Sequence, residues 1–303
     1  MIAVTRRALT VAVLLGATLS VAACGGASSA SGHAGTPTPA LSGMGDMPGM
    51  SMAPTVSPLA EAQPAGDGLA ASVDGYSFVP ASGTVPAGVP TTFDFHINGP
   101  DGHTVTRYQP YRSELMFFDV IRADLTGYQH IETAMRQDGT WSVRLPALSP
   151  GSYRAYVTFA APDSSAGTPL VYELSRPFTV PGPVAAAALP APSASGTAGD
   201  IAVTLSGRPM PGVPSPLTLG FTSGGKPVSY FQRFLDGYAH VVAFHAGDLA
   251  LAHLTPADRA AGRHDLSQLT TRALFGSSGT WRVFVLFRTS GPVRTVAFTV
   301  DVP

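Results

Sequence analysis

Gly151-Ser152-Tyr153-Arg154-Ala155-Tyr156-Val157-Thr158-Phe159 and Gly279-Thr280-Trp281-Arg282-Val283-Phe284-Val285-Leu286-Phe287 are two writings of one pattern, 128 positions apart in a chain of 303 residues. In each, a glycine opens a run in which apolar and polar side chains alternate and Val, Phe, Tyr and Thr dominate, the period-two signature of a strand with one face in a core. The kinship extends outward. Phe178-Thr179-Val180 returns as Phe298-Thr299-Val300, Asp124-Leu125 as Asp248-Leu249, and Phe95, Val105 and Gln109 as Phe221, Val228 and Gln232. Shared order over some 80 residues points to duplication of one unit. Turn signals punctuate the strands at Asn98-Gly99-Pro100-Asp101-Gly102, Gln137-Asp138-Gly139, Ser149-Pro150-Gly151 and Gly224-Gly225-Lys226-Pro227. Seven or so short strands per copy predict an all-β chain with two tandem immunoglobulin-like or cupredoxin-like β-sandwich domains. Trp141, Tyr153, Tyr156, Trp281 and Phe284 are expected in the cores. The one interruption is Thr255–Arg272, where Thr255-Pro256-Ala257-Asp258 is expected to open a short helical turn.

The chain outside the repeats reads as address and tether. Residues 1–23 carry Arg6 and Arg7 before an apolar run from Ala8 to Leu19, a lipoprotein signal peptide too short to span a bilayer comfortably. Val21-Ala22-Ala23-Cys24 resembles a lipobox, which makes Cys24 the expected lipidation site and the cell membrane the first expected partner. Residues 24–68 are rich in Gly, Ser, Ala and Pro and expected to be a disordered tether reaching roughly 35 Å. The first sandwich then spans 69–181, a linker 182–199, and the second sandwich 200–303.

Composition removes several function classes. With 18 basic against 19 acidic residues and no basic stripe, nucleic acid is not an expected partner. A single cysteine excludes a disulfide framework and any Cys-based zinc cluster. Gly-x-Ser-x-Gly, His-Glu-x-x-His, phosphate-binding Gly-Lys-Ser/Thr and Gly-x-Gly-x-x-Gly motifs are absent, so no enzymatic activity is expected.

Three groups of residues carry metal-ligand chemistry. Met44, Met47, Met50 and Met52 are half of the eight methionines, within nine residues of tether where core packing does not call for them. Thioethers are soft ligands that suit copper(I). In the second copy a two-residue turn at Ala246-Gly247 would set His240 directly across from His253, with Cβ atoms about 5 Å apart. In the first copy His130 and Glu132 fall on one face of a strand, about 6.5–7 Å apart, with Glu114 and Met116 as possible companions. The expected cofactor is a transition metal, most plausibly copper, bound or buffered outside the membrane. The alternative is a structural or protein-interaction module of the cell surface that holds no metal.

Asp124-Leu125-Thr126-Gly127-Tyr128-Gln129-His130-Ile131-Glu132, with Asp138-Gly139-Thr140-Trp141 and Pro150-Gly151-Ser152-Tyr153-Arg154, resembles a group of little-characterised secreted proteins and lipoproteins of high-GC Gram-positive bacteria. Phe234 to His240 and Gly247 to His253 carry the likeness through the second copy. The resemblance implies a second histidine two residues after the first, and further histidines on the preceding strand. Here Glu132 and Thr255 occupy the former positions and Phe117 one of the latter.

Overall fold

The computed structural model describes residues 62–64, 66–161, 170–185, 187–235, 237–256 and 267–303, with the side chains of His253 and Pro256 left aside. Cys24 and Met44, Met47, Met50 and Met52 lie outside the described residues. Nine strands form the first half: β1 (Ser72–Val73), β2 (Tyr76–Pro80), β3 (Thr91–Asn98), β4 (Phe117–Arg122), β5 (Gln129–His130), β6 (Thr133–Met135), β7 (Trp141–Leu145), β8 (Gly151–Ala160) and β9 (Val171–Val180). Nine more form the second: β10 (Ser195–Ala198), β11 (Ile201–Gly207), β12 (Ser215–Ser223), β13 (Lys226–Pro227), β14 (Ala239–His245), β15 (Leu251–Pro256), β16 (Gln268–Leu274), β17 (Gly279–Phe287) and β18 (Arg294–Val302). All named strand pairs are antiparallel, and no described segment is a helix long and apolar enough to cross a membrane.

In the first half, sheets β1-β2-β3-β7-β6 and β5-β4-β8-β9 face each other over a core that includes Phe78, Phe95, Phe118, Trp141 and Phe159. The second half runs continuously as β10-β11-β12-β16-β15-β14-β17-β18 around Phe221, Trp281, Phe287 and Phe298. The difference lies in one strand. β15 pairs with β14 at one end and β16 at the other, whereas its counterpart in the first half is broken into β5 and β6.

The repeat extends to individual bonds. Tyr153 Oη donates to the Ser149 carbonyl at 2.9 Å, and Trp281 Nε1 to the Ser277 carbonyl at 3.1 Å, each four residues back. Gln109 bridges Ala160 as Gln232 bridges Arg288. After β4, Asp124 Oδ1 accepts from the Thr126 N–H while Leu125 turns left-handed at φ 61°. After β14, Asp248 Oδ1 accepts from the Ala250 N–H and Leu249 does the same at φ 66°.

Three boundaries differ from the expectation. β10 lies inside the stretch expected to be linker, because Ser195–Ala198 pairs with β11. Asp67 and Gly68, placed in the tether, are docked: the Asp67 carbonyl accepts from Leu251 N–H and the Gly68 carbonyl from the Ser175 hydroxyl. Thr255 and Pro256 belong to β15 and pair with β16, and the rest of the helical turn expected to open there, Ala257-Asp258, lies outside the described residues.

The halves are also not separate bodies, since their described residues fall in one compact unit. A third apolar core lies between them: Ile121, Leu125, Tyr128 and Tyr156 from the first half, Val242, Phe244, Leu249, Leu251, Phe284 and Leu286 from the second. The outward faces of β4 and β8 pack against those of β14 and β17, so these strands are buried on both sides. Burying each such side chain contributes about 1.5–3 kcal/mol, which makes the junction a stabilising element comparable in kind to the cores it joins.

Candidate metal centre at the junction

The register identifies which positions correspond. Phe117 pairs with Thr158 on β8, and His240 with Leu286 on β17; Thr158 and Leu286 hold the same place in the repeat, so Phe117 and His240 are equivalent. By the same reasoning Asp119 corresponds to Val242, since His130 opposes Asp119 and His253 opposes Val242. These equivalent positions meet at the junction, where the Phe117 and His240 rings stack at 5.9 Å with 17° between planes.

Asp119, His130 and His240 form the one group of metal-capable side chains found among the described residues, with one ligand atom from each lying within 4.8 Å of the others. Asp119 projects from β4 toward the second half and is 4% exposed. Its Oδ1 accepts from Tyr128 Oη at 2.7 Å and stands 2.9 Å from His130 Nδ1. The His130 ring is 5.0 Å from that of His240, centroid to centroid, and Phe117 closes one side at 5.7 Å. His240 is 8% exposed, and its Nε2 is buried with no hydrogen-bond partner among the described residues. A buried polar atom left in that state costs about 1–3 kcal/mol.

Electrostatics suit the same centre to a cation. Burial would raise the Asp119 carboxyl, but the neighbouring His130, with smaller contributions from His240 and Tyr128, holds it below the usual carboxylate range. Burial and the neighbouring His130 push the His240 imidazole down to about 3 against the pull of Asp119, so it is neutral and keeps a lone pair. Burial and the Asp119 charge keep the Tyr128 hydroxyl protonated and donating. A carboxylate and neutral imidazole are the protonation states a metal requires. Two imidazoles and one carboxylate suit zinc(II), copper(II) and similar borderline divalent ions better than copper(I), which prefers sulfur.

Of the residues singled out from sequence, the fold brings His130 and His240 together; Glu132, Glu114 and Met116 lie apart from them, while Met44, Met47, Met50, Met52 and the side chain of His253 lie outside what is described. His253 does not oppose His240, because the turn has four residues, Ala246 to Leu249, closed by the Asp248 carboxylate rather than two. That lengthening moves the pairing by two positions, and His253 opposes Val242. Glu132 is exposed and apart from the cluster, since the chain leaves β5 after His130 and crosses to the other sheet as β6. Glu114 sits in a turn bonded to Tyr111, and Met116 is in the first core. Asp119 escaped the sequence reading, although it is the only charged residue in the otherwise apolar Phe117-Phe118-Asp119-Val120-Ile121. Beside the cluster, Glu173 is buried near Asp119 in a small pocket with Tyr111, Arg112 and Thr158. Burial, and then the Asp119 charge, raise its carboxyl well above the ordinary range.

Residues 196–303 match a family described as a domain of unknown function, DUF8832. No curated protein matches the chain. Among solved structures, the Escherichia coli adhesin FdeC is 13% identical, with 77% of this chain and 65% of that one covered and a TM-score of 0.24. The Yersinia pseudotuberculosis adhesin InvE is 13% identical over 76% of this chain and 60% of that one, at 0.22. The S-layer protein SbsC is 13% identical over 70% and 23%, at 0.22. This chain spans less than two thirds of the length of each, and a likeness at this level transfers no function.

Proposed function

We propose that this protein is a lipid-anchored, extracytoplasmic metal-binding protein that acts by holding a transition-metal ion at Asp119, His130 and His240 rather than by catalysis. The observation that carries the reading is the cluster itself: a carboxylate and two imidazoles, one ligand atom from each of Asp119, His130 and His240 within 4.8 Å of the others, at a place where the His240 ring is buried and its Nε2 has no hydrogen-bond partner among the described residues. Anchoring at Cys24 rests on the lipobox-like Val21-Ala22-Ala23-Cys24. Copper remains the leading metal, now as copper(II) at this centre, with zinc(II) its nearest competitor.

The test is titration of the detergent-solubilised full-length protein, stripped with chelator, with copper(II) and separately with zinc(II). One tightly held ion per chain is expected, and His240→Ala should weaken binding by more than the roughly 10–100-fold that loss of a supporting residue brings. Absence of stoichiometric binding of either ion ends the reading. In that event the second reading stands, a metal-free structural or interaction module of the cell surface. The apolar junction supports it, because its packing joins the two sandwiches without calling on an ion.

A further inference from the structure

We infer that the ion is a clasp: a single divalent cation per chain, held across the junction by two donors from the first half and one from the second, so that its occupancy governs how tightly the halves are joined. This rests on the metal reading proposed above and adds where the binding free energy is spent and how many ions are bound.

The first support is the division of the donors. Asp119 on β4 and His130 on β5 belong to one strand pair of the first half, already fixed to each other at 2.9 Å. His240 lies on β14 of the second half and reaches them only because the outward faces of the two halves are packed together. Opening the junction separates the third donor from the other two. An ion that needs all three therefore favours the closed junction by the full ratio of its affinities for the two states.

The second support is the pairing of equivalent positions. Ile121 and Phe244, Leu125 and Leu249, Tyr128 and Leu251, and Tyr156 and Phe284 all occur in the same apolar core, each pair being one repeat position seen from both halves. A junction built from equivalent faces offers two equivalent places for a site. The first holds Asp119, His130 and His240. At the second, the register places Val242, His253 and Phe117, and two of these three have no ligand atom. The count is one ion, not two.

Hydrogen exchange of the detergent-solubilised full-length protein, with and without zinc(II), tests the clasp, and native mass spectrometry counts the ions. Zinc is the probe because the thioethers of Met44 to Met52 are poor ligands for it. At free zinc 100 times its Kd, amides of β4 and of β14 that exchange through junction opening should both slow by about 100-fold. One zinc per chain is expected, and His240→Ala should remove both the tight zinc and the protection. Protection confined to β4 and β5, undiminished zinc in His240→Ala, or two tightly held ions would overturn the clasp while leaving metal binding intact. No zinc or copper on the wild-type protein fails the underlying reading instead. The wild-type exchange pattern decides the matter even if the variant does not fold.

Discussion

The two faces of the junction share a frame and differ in chemistry. On the first half, Asp119, Tyr128 and Tyr156 bring a carboxylate and two hydroxyls to the junction; the equivalent positions on the second are Val242, Leu251 and Phe284. Tyr156 Oη reaches across to the Leu249 carbonyl, a bond that Phe284 has no group to return to Leu125. Packing alone needs none of these polar groups, and each costs desolvation unless it finds a partner. Their concentration on one face, opposite His240 of the other, is what sets this junction apart from a purely hydrophobic core.

The largest effect comes from removing the packing that both readings share. Phe244 lies within 5.3–6.1 Å, centroid to centroid, of Tyr156, Tyr128 and Phe284. Phe244→Ala should cost about 3–5 kcal/mol and leave the two sandwich cores intact. Trp141 reports on the first core and Trp281 on the second. Followed in variants that each retain one of these tryptophans, denaturant unfolding should be coincident in the parent and split into two transitions in Phe244→Ala. Coincident transitions in the variant would mean that the halves do not depend on this junction for their coupling.

The strands and the duplication were readable from sequence because period-two alternation and repeated motifs are local. The junction was not read, although its signal was present. Phe117 to Ile121 and Val241 to Phe244 are apolar at both parities, apart from Asp119, the mark of strands buried on both faces rather than one. His130 and His240 were each assigned a partner within their own half, and nothing in either half reveals that they meet. The error over His253 has a smaller cause. Ala246-Gly247 reads as a tight turn, but Asp248 accepts the Ala250 N–H, and Leu249 takes a left-handed conformation that its burial in the junction supports. A side-chain acceptor thus set the loop length.

Glu173 extends the comparison to acids on the first half. Where His130 holds the Asp119 carboxyl down, burial followed by the Asp119 charge raises that of Glu173 well above the ordinary range. A carboxyl with a raised folded-state pKa binds a proton that the unfolded chain has released, so stability falls as pH rises above the unfolded value near 4.5. Glu173→Gln, close in shape to the protonated acid, should melt several degrees higher than the parent at pH 7. The gap should close as pH is lowered through 4.5, where both chains carry a neutral group. An equal gap at pH 4 and pH 7 would show that ionisation is not its cause.

The smallest effect separates the paired Asp-Leu turns. Asp124 and Asp248 do the same work for the backbone, each accepting an N–H two residues on, at 3.2 and 3.0 Å. Asp124 does more: its Oδ2 accepts from the Ala187 N–H at 3.0 Å, Thr126 Oγ1 donates to its Oδ1 at 2.6 Å, and its side chain is 11% exposed against 51% for Asp248. Losing such an acceptor costs about 0.5–2 kcal/mol, so Asp124→Ala belongs at the upper end and Asp248→Ala at the lower. In both, burial would raise the carboxyl, but it is outweighed by bonds from Ala187 and Thr126 at Asp124, and from Ala250 and His245 at Asp248. Both carboxyls are therefore held below the ordinary 3.8, and their contribution, complete at neutral pH, fades as pH falls below that value. Denaturation of the two variants at pH 7 should show the unequal losses, and at the acid end both should converge on the parent. Equal losses at pH 7 would mean that the bond from the Ala187 N–H to Asp124 adds nothing, leaving the turns alike in energy as well as in form.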